Sequence, residues 1–139
     1  AYDKSMKEYC GTCTRCLDAC PTAAIVAPGI VDAGKCISYL TIENKGEIPE
    51  KFSGKMNQWI FGCDICQDVC PWTMNANHHN ENDFAPNPGL TEMNDQDWNN
   101  LSEEGFRTIF KKSAIKRTKY HGLMRNMKFI SHHGVQNKS

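Results

Sequence analysis

Nowhere in the 139 residues does an apolar run approach the roughly 20 that a membrane-spanning helix requires. No stretch combines a charged start, an apolar middle and a small-residue cleavage site, so no secretory signal is expected. Together these absences argue against a membrane protein and for a soluble chain in the reducing cytoplasm. Acid is missing from the C-terminal stretch: Gly105 to Ser139 carries nine Lys/Arg and no Asp or Glu, whereas Ala1 to Glu104 carries seven Lys/Arg and sixteen Asp/Glu. A formal net charge of zero therefore hides an acidic body and a basic tail. Such a tail suits a polyanion, with nucleic acid the first candidate; a solvated helix face that balances the acidic half is the plainer alternative. An initiating methionine is lacking too, and the first cysteine arrives at position ten. The chain is expected to be cut from a longer protein, with Ala1 a cloning remnant.

What the sequence does have is eight cysteines in an ordered pattern. Cys10, Cys13, Cys16 and Cys20 follow the spacing Cys-x2-Cys-x2-Cys-x3-Cys and precede Pro21. In two-cluster ferredoxins, three thiolates of such a run hold one cubane and the fourth, before the proline, ligates the other. A second run is therefore required, and Cys63, Cys66 and Cys70 before Pro71 supply it with one cysteine fewer, Ile60 standing where the missing one would be. The remaining cysteine is Cys36. The resulting assignment places Cys10, Cys13, Cys16 and Cys70 on one [4Fe–4S] cluster and Cys20, Cys36, Cys63 and Cys66 on another. Zinc normally takes two short Cys/His pairs separated by a longer loop, and four cysteines spaced so tightly cannot easily wrap one tetrahedral ion. An even cysteine count permits a disulfide framework, but secreted scaffolds do not usually repeat this proline-terminated run. With eight cysteines committed to metal, the clusters become part of the interior, and the N-terminal half is expected to fold poorly without them.

Along the chain, Thr22 to Val26 reads as a short strand, turned at Pro28-Gly29 into Ile30-Val31. Asp32 is a helix N-cap, and Cys36, Ile37, Leu40 and Thr41 fall at helical spacing up to Gly46, so Cys36 is expected to project from a helix. Pro49 opens a short helix that breaks at Gly54. Trp59, Ile60 and Phe61 arrive beside Cys63, where they exclude water from a cluster or simply pack a core. The Asn-, Asp- and Pro-rich stretch from Thr73 to Asn100 reads as a long irregular loop, with His78 and His79 exposed in it. Ser102 caps a helix with Glu103 and Glu104 in its first turn and Leu101, Phe106, Ile109 and Phe110 on its apolar side. Two further basic segments follow, Ala114 to His121 and Leu123 to Ile130, separated by Gly122. Their cations suit phosphates, and Tyr120 or His121 offers a ring for a base.

The first run through Thr22, the segment Lys35-Cys36-Ile-Ser-Tyr-Leu-Thr-Ile-Glu43, the segment Trp59-Ile-Phe-Gly-Cys-Asp-Ile-Cys-Gln-Asp-Val-Cys-Pro-Trp72 and the tail from Lys111 to Lys119, with Gly122-Leu-Met-Arg-Asn126, closely resemble epoxyqueuosine reductases. The resemblance covers nearly the whole chain. It implies reduction of the epoxide of epoxyqueuosine to the alkene of queuosine at the tRNA wobble position, with two [4Fe–4S] clusters relaying electrons to a cobalamin. It also implies the same division of the eight cysteines, and tRNA contacts by Lys112, Lys116, Arg117, Lys119 and Arg125. In the family the cobalamin domain and an acidic proton donor lie upstream, so this chain is not expected to reduce epoxyqueuosine alone. Where the family commonly continues Pro-Trp-Asn-Arg-Phe, this chain has Pro-Trp-Thr-Met-Asn from Pro71, and the helical-repeat extension of some relatives is absent.

The expected fold is α+β: a bacterial ferredoxin-like domain with two [4Fe–4S] clusters over residues 1–72, an irregular loop packing on it over 73–100 and a mainly helical basic tail over 101–139. The expected partners are tRNA, the upstream cobalamin domain of the same protein and an electron donor such as flavodoxin or ferredoxin, with no membrane and a monomeric state. Rival readings are a free-standing ferredoxin-type carrier, the cluster domain of a reductive dehalogenase and a zinc-stabilised tRNA-binding module.

Overall fold

A computed structural model of the chain describes residues 9–133. Residues 1–8 and 134–139, the outer ends of the expected cluster domain and tail and the place of the Ala1 expectation, lie outside the described residues. The N-terminal half is built from short pieces. Helix α1 (Arg15–Ala19) is followed by strands β1 (Ile25–Ala27) and β2 (Ile30–Val31), then α2 (Ile37–Ile42), α3 (Ile65–Asp68) and α4 (Pro71–Met74). The two strands pair antiparallel, Ile25 opposite Val31 and Ala27 opposite Ile30, and Gly29 at φ +73° makes the turn. A residue with a Cβ is strained at that φ, so glycine is the natural choice.

This hairpin is the whole of the sheet among the described residues, so the α+β expectation is corrected to a mostly helical fold with one β-ribbon. The local reason is that Val26, Ile30 and Val31 remain more than half exposed. Without a buried face the ribbon recruits no further strand. Asp32 does cap, its carboxylate accepting the Gly34 N–H, but the element it opens is a single 3-10 turn. Helix α2 begins one residue after Cys36, and Cys36 sits at its N-cap with extended backbone. The expectation that Cys36 projects from a helix is corrected accordingly. The helix also ends at Ile42, short of Gly46, because Asn44 bends the chain by donating its side-chain amide to the Gly46 and Glu47 carbonyls.

Residues 73–100 are not the irregular loop expected from their composition. They contain a 3-10 turn, helix α5 (Pro88–Thr91) and helix α6 (Asp95–Asn99). The same Asn, Asp and Pro residues that suggest a loop are caps here: Asn87 precedes Pro88 and accepts the Gly89 N–H, and Asn94 and Asp97 form a reciprocal capping box. Leu90, Met93 and Trp98 pack on the C-terminal helices α7 (Glu103–Ile109) and α8 (Lys119–His133), around buried Leu101, Phe106, Phe110 and Leu123. A second core, of Ile37, Leu40, Ile48, Phe52 and Met56, lies in the N-terminal half and takes Trp59, Cys63 and Phe129 against it. Helix α8 thus serves both cores, Leu123 in one and Phe129 in the other.

Gly122 does not separate two segments as its propensity suggests, because α8 runs through it. A Cβ built there would lie 2.5 Å from the Thr118 hydroxyl, which donates to the Thr41 carbonyl at 2.8 Å. Gly122→Ala therefore trades about 1 kcal/mol of helix propensity against overpacking worth roughly 1–3 kcal/mol. A net loss of about 1 kcal/mol in denaturant unfolding is expected, and a gain would show that Thr118 yields freely.

Candidate metal centre

The first cysteine run forms a tight turn leading into α1. Gly11 at φ +54° lets the Cys13 N–H reach the Cys10 carbonyl at 3.0 Å, Cys16 lies within α1, and Cys20 is that helix's C-cap. In the second run Cys63 follows Gly62, at φ +71°, Cys66 lies within α3, and Cys70 is the N-cap of α4, where Pro71 occupies the first turn without loss of a needed N–H. Helices α1 and α3, the two ligand-bearing turns, pack against each other. None of the eight cysteines forms a disulfide; Cys10 is exposed and the other seven are half-buried.

Electrostatics group four of these thiols. Burial pushes the Cys63 thiol above its ordinary value, and the neighbouring Cys66, Cys36 and Cys20 add to the rise. Burial likewise raises Cys66, with Cys36 and Cys20 again contributing. Cys20, at the end of the first run, and Cys36, at the N-cap of α2, are the thiols outside the second run that contribute. At Cys20 burial is the largest single influence and opposes ionisation. The N–H groups of Ala24, Thr22 and Ile25 and the Thr22 hydroxyl together outweigh it, and the thiol ends below its ordinary value. The Ala24 N–H stands 3.3 Å from Cys20 Sγ. Cys70 is also lowered, first by the Thr73 N–H and then by that of Trp72.

The remaining thiols are linked by their flanks. Tyr9, next to Cys10, meets Trp72, two residues after Cys70, edge to face with ring centroids 5.6 Å apart. This joins the start of the first run to the end of the second. The donor chemistry fits iron–sulfur clusters: thiolates only, from turns with N–H groups directed at sulfur. Among the described residues no group of three or more His, Cys, Asp or Glu converges on a single metal ion. His79, in the Asn-rich stretch, accepts the Glu81 N–H at 3.2 Å and meets the Phe84 ring.

The five cations expected at tRNA divide into three groups. Lys112, Lys116 and Lys119 are exposed. Arg117 is exposed as well but pairs with Glu43, whose carboxyl is held below its ordinary value chiefly by that hydrogen bond. Such a surface pair contributes little to stability, so a phosphate can compete for the guanidinium. Arg125 points inward. Its Nη1 donates to the carbonyls of Asn44 at 2.7 Å and Gly46 at 2.6 Å, its Nη2 to the Leu40 carbonyl at 2.9 Å, and both Nε and Nη2 to Asn126 Oδ1. These bonds occupy the guanidinium's fork within the protein. The tRNA role read for Arg125 gives way to a structural one, because its planar donors match a cluster of loop carbonyls. Tyr120 is likewise engaged, its hydroxyl donating to the Leu101 carbonyl at 3.0 Å and its ring meeting Phe106.

Sequence reasoning missed Asn126, Thr41 and Thr118, which are buried and polar. Asn126 Nδ2 donates to the Thr41 carbonyl at 2.8 Å and the Ile60 carbonyl at 2.9 Å. The Thr41 hydroxyl donates to the Ile37 carbonyl at 2.8 Å and accepts the Gly62 N–H at 3.0 Å. One signal was available: an asparagine in a helix three residues after Leu123 and four before Ile130, on a face otherwise apolar.

Comparison with known proteins adds three findings. The family model for a 4Fe-4S double cluster binding domain matches residues 9–73. Epoxyqueuosine reductase from Cellulophaga algicola is 54% identical over 129 residues, which is 93% of this chain and 42% of that protein. The enzyme from Leadbetterella byssophila is 56% identical over 92% of this chain and 41% of its own length. This chain therefore spans about two fifths of the curated relatives it matches. Among solved structures, epoxyqueuosine reductase from Bacillus subtilis superposes with a TM-score of 0.82 at 34% identity, covering 94% of this chain and 35% of that one. An epoxyqueuosine reductase crystallised with an epoxyqueuosine-modified tRNA stem loop gives the same TM-score, identity and coverage.

Proposed function

This chain is homologous to the C-terminal fragment of epoxyqueuosine reductases, and on that basis we propose that it holds two [4Fe–4S] clusters and forms the electron-relay and tRNA-contacting part of such an enzyme. The clusters, when bound, supply one-electron transfer. The chain's own residues do the rest. Cys10, Cys13, Cys16 and Cys70 ligate one cluster, and Cys20, Cys36, Cys63 and Cys66 the other. The Ala24 and Thr73 N–H groups favour the anionic form of Cys20 and Cys70. Trp59, packed with Cys63 against the N-terminal core, limits water there. Lys112, Lys116 and Lys119, with Arg117 once released from Glu43, meet the phosphates of a tRNA. The cobalamin, the reacting epoxyqueuosine and its proton donor belong to parts of the parent beyond this chain, and a flavodoxin or ferredoxin is the proposed donor of electrons in a monomeric cytoplasmic enzyme.

The observation that carries the reading is the packing of α1, within the first cysteine run, against α3, within the second, with Tyr9 beside the first run meeting Trp72 beside the second. The test is iron, acid-labile sulfide and zinc content of anaerobically reconstituted protein, with electron paramagnetic resonance after reduction. About eight iron and eight sulfide with a spin-coupled signal are expected of two neighbouring cubanes. Stoichiometric zinc without sulfide overturns the redox reading. For the tail, affinity for a tRNA anticodon stem loop is expected to fall with salt, and Lys116→Ala to reduce the log–log salt slope by about 1. An unchanged slope removes Lys116 from the interface.

A further inference from the structure

We propose that Asn126, acting through Thr41, is a positioning residue for the second cluster, although it lies far beyond the last cysteine in sequence. The inference rests on the two-cluster reading above. Asn126 is fully buried, and its amide N–H groups bridge the Thr41 carbonyl on α2 and the Ile60 carbonyl three residues before Cys63. Thr41 completes the bridge, its hydroxyl taking the N–H of Gly62, the residue before Cys63. Helix α2 has Cys36 at its N-cap. One side chain from α8 therefore cross-links the segment that delivers Cys63 to the helix that delivers Cys36, two of the four thiols in the second set.

The orientation of the bridge is fixed from both ends. Arg125 donates twice to Asn126 Oδ1, so the amide cannot turn its N–H groups away from the two carbonyls. The Thr118 hydroxyl gives the Thr41 carbonyl a further donor at 2.8 Å. Every buried side-chain polar atom among the described residues has a partner. Such outer hydrogen bonds orient metal ligands and control the access of water. Loosening them admits water near the second cluster. Reduction makes a cubane with four thiolates more negative, so added water favours the reduced form and the potential becomes less negative. These bonds do not reach α1 or α4, where Cys16 and Cys70 stand.

The test is a potentiometric titration, followed by electron paramagnetic resonance, of the reconstituted full chain and its Asn126→Ala and Thr41→Val variants. Leu123→Ala, which removes a buried side chain from the C-terminal core on the same helix, is the control for mere destabilisation. The two signals are assigned by their loss in Cys20→Ala and Cys13→Ala. The second cluster is expected to titrate at a less negative potential in both polar variants, with the first unmoved and Leu123→Ala like wild type. Thr41→Val preserves shape and carries the test should Asn126→Ala fail to fold. Unchanged potentials overturn the inference, as does an equal shift of both clusters or the same shift in Leu123→Ala. A wild-type chain that builds no second cluster overturns the two-cluster reading and the inference with it; two wild-type clusters with unmoved variants overturn the inference alone.

Discussion

Cys20→Ala is expected to leave the chain with one cluster, the one lost being that proposed for Cys63 and Cys66. Cys20 stands in the first run, yet its place before Pro21 already assigns it to the cluster of the second. The structure carries Cys20 past the end of α1, to where it and Cys36 raise the thiols of Cys63 and Cys66. Iron is expected to fall from about eight to about four per chain, and the spin-coupled signal to become that of an isolated cubane. Double variants make the pairing unambiguous, because effects on one shared site do not add. Cys20→Ala with Cys63→Ala should retain about the four iron of either single variant, whereas Cys20→Ala with Cys13→Ala should retain almost none. The reverse pattern would assign Cys20 to the first cluster. Loss of the second cluster should also expose the Ile37, Leu40 and Phe52 core to unfolding, since ligation and folding are linked.

Arg125→Ala is expected to destabilise the chain by about 2–3 kcal/mol, the order for losing hydrogen bonds from a charged donor at a half-buried site. That is a large share of a typical 5–15 kcal/mol. The carbonyls of Leu40, Asn44 and Gly46 lose this donor together, and Asn126 loses the bonds that orient its amide. One of the three, that of Leu40, follows directly from where α2 stops: a helix leaves its last carbonyls unpaired, and the guanidinium serves that end. Burial draws the Arg125 pKa downward while Glu47 opposes the shift. Arg125→Lys keeps the charge but offers a single point of donation, so about half the loss is expected to return. Anaerobic denaturant unfolding of the cluster-loaded protein measures both. A cost below about 1 kcal/mol, the size of one ordinary hydrogen bond, would show that water replaces the guanidinium without strain.

The parts of the fold legible in the sequence are those fixed by short-range chemistry. Cysteine spacing, the Pro28-Gly29 turn and the caps at Asp32 and Ser102 each act within a few residues, and the hairpin and α7 appear where they place them. What was not legible depends on partners distant in the chain. Gly122 reads as a helix break until Thr118 and the Thr41 carbonyl are seen to need the space of its missing Cβ. Arg125 reads as one more cation of a basic tail until α2 presents its carbonyls. The Asn-rich stretch failed for another reason: Asn and Asp favour loops and helix N-caps alike, and only the apolar Leu90, Met93 and Trp98 reveal that the short helices have a core to bury against.

That α8 fastens both cores also sets an order of events in biosynthesis. Cys66 leaves the ribosome some sixty residues ahead of Asn126. At about 5–20 residues per second the cysteines wait roughly 3–12 s before the side chain that ties α2 to the Cys63 segment has been made. Throughout that interval the chain has its sulfur ligands but not the clamp that holds two of them in register. Iron delivered early would meet a pliable nascent chain, so maturation of the proposed second site belongs after the emergence of α8. Labelled iron should accordingly be held poorly by nascent chains arrested before Asn126 and firmly once α8 has emerged.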